Sequence, residues 1–217
     1  TETHGTPTIA MELVSGGTLQ ERVKNHGPMP LPVAVEAILE IIAGLEAAQA
    51  IGILHRDIKP GNCFEDIDGT IKIGDFGLSI STAARAETNL TAAGTMVGTP
   101  AFCSPEQLRG EELSARSDMY SVGGTLFYLL TGHVPFEGHN IVQLVANVLE
   151  KPVPSPRDFR KEIPKGLAGV IQRCLAKQPG ERFKSYDDLR QALAPYGSAA
   201  PTPATLSLRF LAGLLDI

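Results

Sequence analysis

The stretch that most restricts how this chain can fold is His55-Arg56-Asp57-Ile58-Lys59-Pro60-Gly61-Asn62, followed by Asp75-Phe76-Gly77. It sets a carboxylate, a cation, a neutral amide and a second carboxylate in a fixed order, in a loop bracketed by the apolar pairs Ile53-Leu54 and Cys63-Phe64. After an Asp68-Gly69 turn, Ile71-Lys72-Ile73 alternates as a strand does, so the spacing predicts a small hairpin carrying the loop. Taken singly, the His-Arg-Asp triplet reads as a solvated loop, and Asp-Phe-Gly as a turn whose glycine supplies a positive φ. Their joint occurrence, with Asn62 following Asp57 and Gly98-Thr99-Pro100 and Ser104-Pro105-Glu106 downstream, is a far more specific signal.

On these residues the chain resembles the eukaryotic-type (Hanks-type) bacterial serine/threonine protein kinases, over roughly residues 8 to 194. Lys59, two residues after Asp57, is the mark of the serine/threonine class. Phosphoryl transfer needs anionic oxygens for metal, a cation for the moving group and an acceptor for the hydroxyl proton. The resemblance implies that Asp57 accepts the proton of the substrate hydroxyl, that Lys59 holds the γ-phosphate of ATP, and that Asn62 and Asp75 ligate Mg2+. Arg56 resembles the arginine of kinases activated by an anion, phosphothreonine being the natural one. Near the start, the apolar run Thr8 to Leu13 and then Val14-Ser15-Gly16-Gly17 resembles the last small-lobe strand entering the hinge. By that likeness Met11 is the gatekeeper, Glu12 accepts from the adenine amino group through its carbonyl, the Val14 N–H donates to the ring, and Phe64 forms the adenine floor. Taken alone, the hinge segment reads equally well as an edge strand and a Gly turn.

Further along, Gly98-Thr99-Pro100 and Ser104-Pro105-Glu106 resemble the end of a kinase activation segment, with Phe102 where the family often has Tyr and Ser104 where it often has Ala. Glu106 resembles the acid that pairs with a distant arginine, here Arg182; the competing reading is two exposed charges. Asp118 resembles the aspartate that accepts backbone N–H groups of the catalytic loop, and it also suits a helix start. The helix expected from about Met119 to Leu130 is apolar nearly all round, as a central core helix is. Other helices are expected at Thr18 to Lys24, Pro32 to Ala50, Val142 to Glu150, Gly166 to Leu175 and Tyr186 to Leu193. Residues 79 to 95 have no period and carry Ser79, Ser81, Thr82, Thr88, Thr91 and Thr95, candidates for autophosphorylation in a mobile loop.

The expected fold is therefore α+β and protein-kinase-like: a mainly helical C-terminal lobe with a small β-hairpin at the catalytic loop. Residues 1–194 form the kinase domain, 195–204 a Pro/Ala linker, and 205–217 an apolar tail resembling the opening of a membrane domain. That likeness suggests membrane tethering of a longer, otherwise cytoplasmic protein, although Thr205 to Ile217 is too short to cross a bilayer. With 43% hydrophobic and 20% charged residues in 217, the chain can bury one good-sized core. A net charge of −5 without any basic run argues against nucleic acid as a partner. Cys63, Cys103 and Cys174 lack metal-ligand spacing and suit a reducing compartment; Cys63 and Cys103 are expected beside the cleft. No Gly-x-Gly-x-x-Gly occurs, so the phosphate loop, its lysine and the partner glutamate are expected N-terminal to Thr1, and this piece by itself is expected to transfer phosphate hardly at all. Expected partners are protein substrates bearing Ser or Thr, with dimerisation for autophosphorylation. The rival reading is a catalytically silent binding or scaffold module, motivated by the missing small-lobe elements and by Phe64, Phe102 and Ser104.

Overall fold

A computed structural model describes residues 14–76 and 100–197, with the backbone of residues 2–3 and 6–7. Met11, Glu12, Gly77, the hydroxyls from Ser79 to Thr95, Gly98-Thr99 and the tail 205–217 lie outside the described residues. The short strands β1 (Glu2–Thr3) and β2 (Thr6–Pro7) pair antiparallel ahead of the hinge segment.

Local chemistry starts each helix. In α1 (Leu19–His26), Thr18 Oγ1 accepts from Glu21 N at 3.1 Å while Glu21 Oε2 accepts from Thr18 N at 2.8 Å, a reciprocal cap that satisfies two otherwise orphan donors. In α2 (Leu31–Ala50) Pro32 stands in the first turn, and Val35, Ile38, Ile42 and Leu45 recur at helical spacing and are all buried. A short helix not foreseen from the sequence, α3 (Pro105–Arg109), is capped by Ser104, whose Oγ accepts from Gln107 N at 3.3 Å. The central helix α4 (Ala115–Thr131) begins a turn earlier than its apolar run suggests, because Ser114 and not Asp118 is the cap. Then follow α5 (Ile141–Glu150), α6 (Lys165–Cys174) and α7 (Tyr186–Leu193), each within a residue of its expected bounds, α5 and α7 opening on the side-chain caps Asn140 and Ser185.

Helix α4 is buried on nearly every face and lies between α2 and α6. Its close approach to α6 needs a bare backbone: a Cβ on Gly123 would stand 2.4 Å from Cys174 Cβ, well inside contact distance. Against α2 rests the hairpin of β3 (Cys63–Glu65) and β4 (Ile71–Ile73), antiparallel with Cys63 opposite Ile73 and Phe64 opposite Lys72. Glu40 of α2 binds it directly, its Oε2 accepting from Ile71 N at 2.7 Å. The segment after Val14 is tied to the same hairpin, since Gly17 O accepts from Glu65 N at 2.9 Å. A Cβ on Gly16 would fall 2.2 Å from Glu65 O, so only glycine lets the two backbones lie this close. The apolar pair Ile53-Leu54 forms no strand; it lies in irregular chain leading from α2 into the loop.

Candidate active site

The loop from His55 to Asn62 is held from beneath by α4. Asp118 accepts from His55 N at 3.0 Å and from Arg56 N at 2.8 Å, one bond on each carboxylate oxygen. Burial raises the Asp118 carboxyl above its ordinary range, and the two N–H donors work the other way by stabilising its charge. The expectation that Asp118 anchors the loop is met, and its alternative as a simple helix cap is not.

Within the loop, the backbone is bent sharply enough that Arg56 adopts φ +69, rare for a residue with a Cβ. His55 locks the bend. Its Nδ1 accepts from Asp57 N at 3.2 Å, so the other ring nitrogen carries the hydrogen and donates to Gly74 O at 2.9 Å. The Phe76 ring meets the same imidazole edge-on, with centroids 4.5 Å apart. The loop and the Asp75-Phe76 segment are thus joined through one buried histidine.

Asp57, Lys59 and Asn62 converge. Lys59 Nζ lies 2.8 Å from Asp57 Oδ2, and Asn62 Nδ2 donates to that same oxygen at 3.0 Å and to Asp57 O at 2.8 Å. Asp57 is only 8% exposed, so a cation and an amide, rather than bulk water, set the direction of its carboxylate. Among the described residues both hydrogen bonds of the Asn62 side chain are donated by Nδ2, which leaves Oδ1 as the oxygen it can offer a cation. Asp75 stands just past Gly74, whose N–H donates to Asn62 O at 2.9 Å, and it has a left-handed backbone with φ +60. A carboxylate and an amide oxygen from adjoining strand ends are hard donors that fit magnesium, which keeps water and phosphate oxygens in its remaining positions. Among the described residues no group of three or more His, Cys, Asp or Glu side chains is arranged to hold a metal.

Of the predicted nucleotide-binding residues, Phe64 packs its ring over Gly74, where an added Cβ would lie 2.6 Å away, so it borders Asp75 from the hairpin side. Val14, half-buried, opens the segment tied to that hairpin. The three cysteines are buried, and burial pushes the thiols of Cys63 and Cys174 up to about 12, far from reactive thiolates.

Glu106 and Arg182 form a two-pronged ion pair, Nη1 to Oε1 at 2.6 Å and Nη2 to Oε2 at 2.7 Å, with Arg182 1% and Glu106 2% exposed. The alternative of two solvated charges is ruled out by that burial. Sequence reading missed two residues around the loop. Gln107 Nε2 donates to Arg56 O at 2.5 Å, and Tyr186, buried and close to the Asp118 charge, has its phenol pushed well above the ordinary value, by burial first. Gln107 follows directly on Glu106, and only that adjacency could have drawn attention to it.

The sequence profile of the protein kinase domain matches residues 1–193. The chain belongs to the protein kinase family. It is 36% identical over 186 residues to a probable serine/threonine-protein kinase PknB of Lactococcus lactis, covering 86% of this chain and 29% of that protein. It is 39% identical over 178 residues to the serine/threonine-protein kinase PknL of Mycobacterium tuberculosis, covering 82% and 44%. Among solved structures, Rad53 1–466 in complex with AMP-PNP superposes with a TM-score of 0.68 at 31% identity, over 86% of this chain and 45% of that one. The chain spans less than half the length of these relatives. Its kinase-family fold is the α+β arrangement expected, a helical lobe with a two-stranded hairpin under the loop. Among the described residues no helix is long and apolar enough to cross a membrane.

Proposed function

We propose that the protein containing this chain transfers the γ-phosphate of ATP to serine or threonine hydroxyls of protein substrates. The observation that carries the reading is the convergence of Lys59 Nζ and Asn62 Nδ2 on one oxygen of the buried Asp57 carboxylate. With Oδ2 engaged by a cation and an amide, the carboxylate is aimed as a unit at an incoming hydroxyl, accepting its hydrogen bond and taking its proton as the bond to phosphorus forms. Lys59 is positioned to move from Asp57 to a phosphoryl oxygen, neutralising charge that grows in the transition state. Magnesium, held by Asn62 Oδ1 and Asp75, would supply further neutralisation of the triphosphate. Phe64 offers an apolar ring for adenine, with the carbonyl of Glu12 and the N–H of Val14 as its hydrogen-bonding edge. The likeness to serine/threonine-protein kinases and the AMP-PNP in the Rad53 structure support the same nucleotide and the same class of acceptor. Tethering of the longer protein by a membrane domain that the apolar tail would open, and pairing of two copies for autophosphorylation, belong to this proposal.

The test uses the full-length protein with radiolabelled ATP and a mixture of Ser/Thr peptides in the presence of magnesium. Label recovered as phosphoserine or phosphothreonine is the expected result. Nucleotide binding without any transfer would return the protein to the scaffold reading.

A further inference from the structure

The peptide unit that joins Arg56 to Asp57 sets the direction in which the Asp57 side chain leaves the backbone. Its N–H is held by His55 Nδ1 at 3.2 Å and its C=O by Gln107 Nε2 at 2.5 Å. The unit one step earlier is held through the Arg56 N–H by Asp118. Arg56 needs such restraint, because φ +69 is disfavoured for any residue with a Cβ and relaxes unless its surroundings over-determine it. Two of the three restraints come from the loop itself and from α4. The third, Gln107, comes from α3, a different part of the chain.

Gln107 is well built for this purpose. It is 6% exposed, so its amide would be costly to leave without a partner and is held to the Arg56 carbonyl. Its own backbone N–H is capped by Ser104 Oγ, and Glu106, one residue before it, is clamped by Arg182. A serine at position 104, where the family often has alanine, thereby orders the turn from which Gln107 reaches. We infer that Gln107 is a positioning residue: it couples the docking of α3 to the orientation of the Arg56–Asp57 peptide, so that Asp57 is aimed while α3 is seated and loses its aim when α3 shifts. The inference rests on the phosphotransfer reading for its consequence in turnover, and on hydrogen bonding alone for its consequence in the loop.

Two variants and two kinds of measurement test it. In the chain as it stands, amide hydrogen exchange is followed over residues 54–62; in the full-length protein, kcat and the KM for ATP are measured across pH. Gln107→Leu keeps the bulk and removes the donor, and is expected to speed exchange in that loop and lower kcat by about ten-fold each, with KM within about two-fold and exchange over residues 165–193 unchanged. Gln107→Glu keeps the shape but turns a carboxylate oxygen on the Arg56 carbonyl. Its kcat relative to the unmutated protein should be lowest at neutral pH and climb as acid protonates the new side chain, which can then donate again. A contact of merely structural value would lower stability without that pH-dependent recovery. Loop exchange and kcat of the Leu variant both within about two-fold of the unmutated protein, or a Glu variant whose relative kcat is flat with pH, would overturn the inference. If the unmutated full-length protein transfers no phosphate, the phosphotransfer reading falls, and loop exchange in the two variants alone decides the coupling.

Discussion

Arg182 and Glu106, 76 residues apart in sequence, meet as a parallel fork with both partners out of water. The same guanidinium donates from Nε to Ala176 O at 2.9 Å and from Nη1 to Arg116 O at 2.8 Å, so one side chain ties α3, the start of α4 and the turn after α6 together. Its face also lies 5.0 Å from the centroid of the Tyr120 ring. Replacing Arg182 with methionine strands a carboxylate in the core, and unfolding in urea should show a loss of about 3–5 kcal/mol. The double variant with Glu106→Leu should recover part of it. A loss under about 1 kcal/mol for the single change would mean that the pair contributes no more than a surface bridge.

The pair also sets a pH dependence. Burial works against the Glu106 charge, but the hydrogen bonds and charge of Arg182 outweigh it and hold the carboxyl below its ordinary value of 4.5. A depressed folded-state value means that the stabilisation is fully present above pH 4.5 and is lost as pH falls through the folded value. Asp118 has the opposite sign: raised by burial, its contribution is complete below 3.8 and declines as pH rises through its folded value. The difference in unfolding free energy between the unmutated chain and Glu106→Gln should therefore be constant near neutrality and shrink in acid. A difference that stays level down to pH 3 would contradict the assignment of the shift to Arg182.

For turnover, Asp57→Asn in the full-length protein should lower kcat by a factor on the order of 10²–10⁴, because it removes a proton acceptor while leaving a side chain of the same shape. ATP affinity, read by isothermal titration, should stay within a few-fold. Turnover within a few-fold of the unmutated protein would exclude Asp57 as the base.

Two glycines on neighbouring helices should respond oppositely to alanine. Alanine is the better helix former by about 0.5–1 kcal/mol, and at Gly169, where among the described residues nothing beyond its own helix stands within 4 Å of an added Cβ, that gain should appear as a higher Tm. At Gly123 the new Cβ would meet Cys174 Cβ at 2.4 Å, and neither atom is the end of a flexible chain. Forcing α4 and α6 apart should outweigh propensity and give a net loss of about 1–3 kcal/mol. Equal effects at both positions would argue against the close contact.

Tyr120 is wholly buried, and among the described residues its hydroxyl has no hydrogen-bond partner; burial also pushes its phenol well above the ordinary value. Tyr120→Phe keeps the ring beside Arg182 and deletes the orphan group. Chemical denaturation should find the variant at least as stable as the parent, by up to about 1–3 kcal/mol. A clear loss of stability would reveal a partner for that hydroxyl.

Much of the site was legible beforehand because its residues lie close in sequence. Asp57, Lys59 and Asn62 share one loop, and its likeness to the kinase catalytic loop implied that they would act together, while the hairpin that carries them follows from local alternation and an Asp-Gly turn. Helix bounds followed from apolar periodicity, with one miss where it mattered: the first turn of α4 is polar, and Ser114 rather than the apolar run marks where it starts. The short α3 escaped notice because five residues offer no period to read.

The amino-acid sequence by itself determined the family, the order of the helices and the identity of the chemical groups in the loop, since each is written in local spacing and residue type. Folding in three dimensions decided what restrains them. The Asp118 carboxylate beneath two loop N–H groups, the Gln107 amide on the Arg56 carbonyl and the withdrawal of Arg182 from water all depend on contacts between residues about 50 to 80 positions apart. No local pattern encodes such contacts, because a polar side chain reads alike whether water or a distant backbone satisfies it, and only burial distinguishes the two.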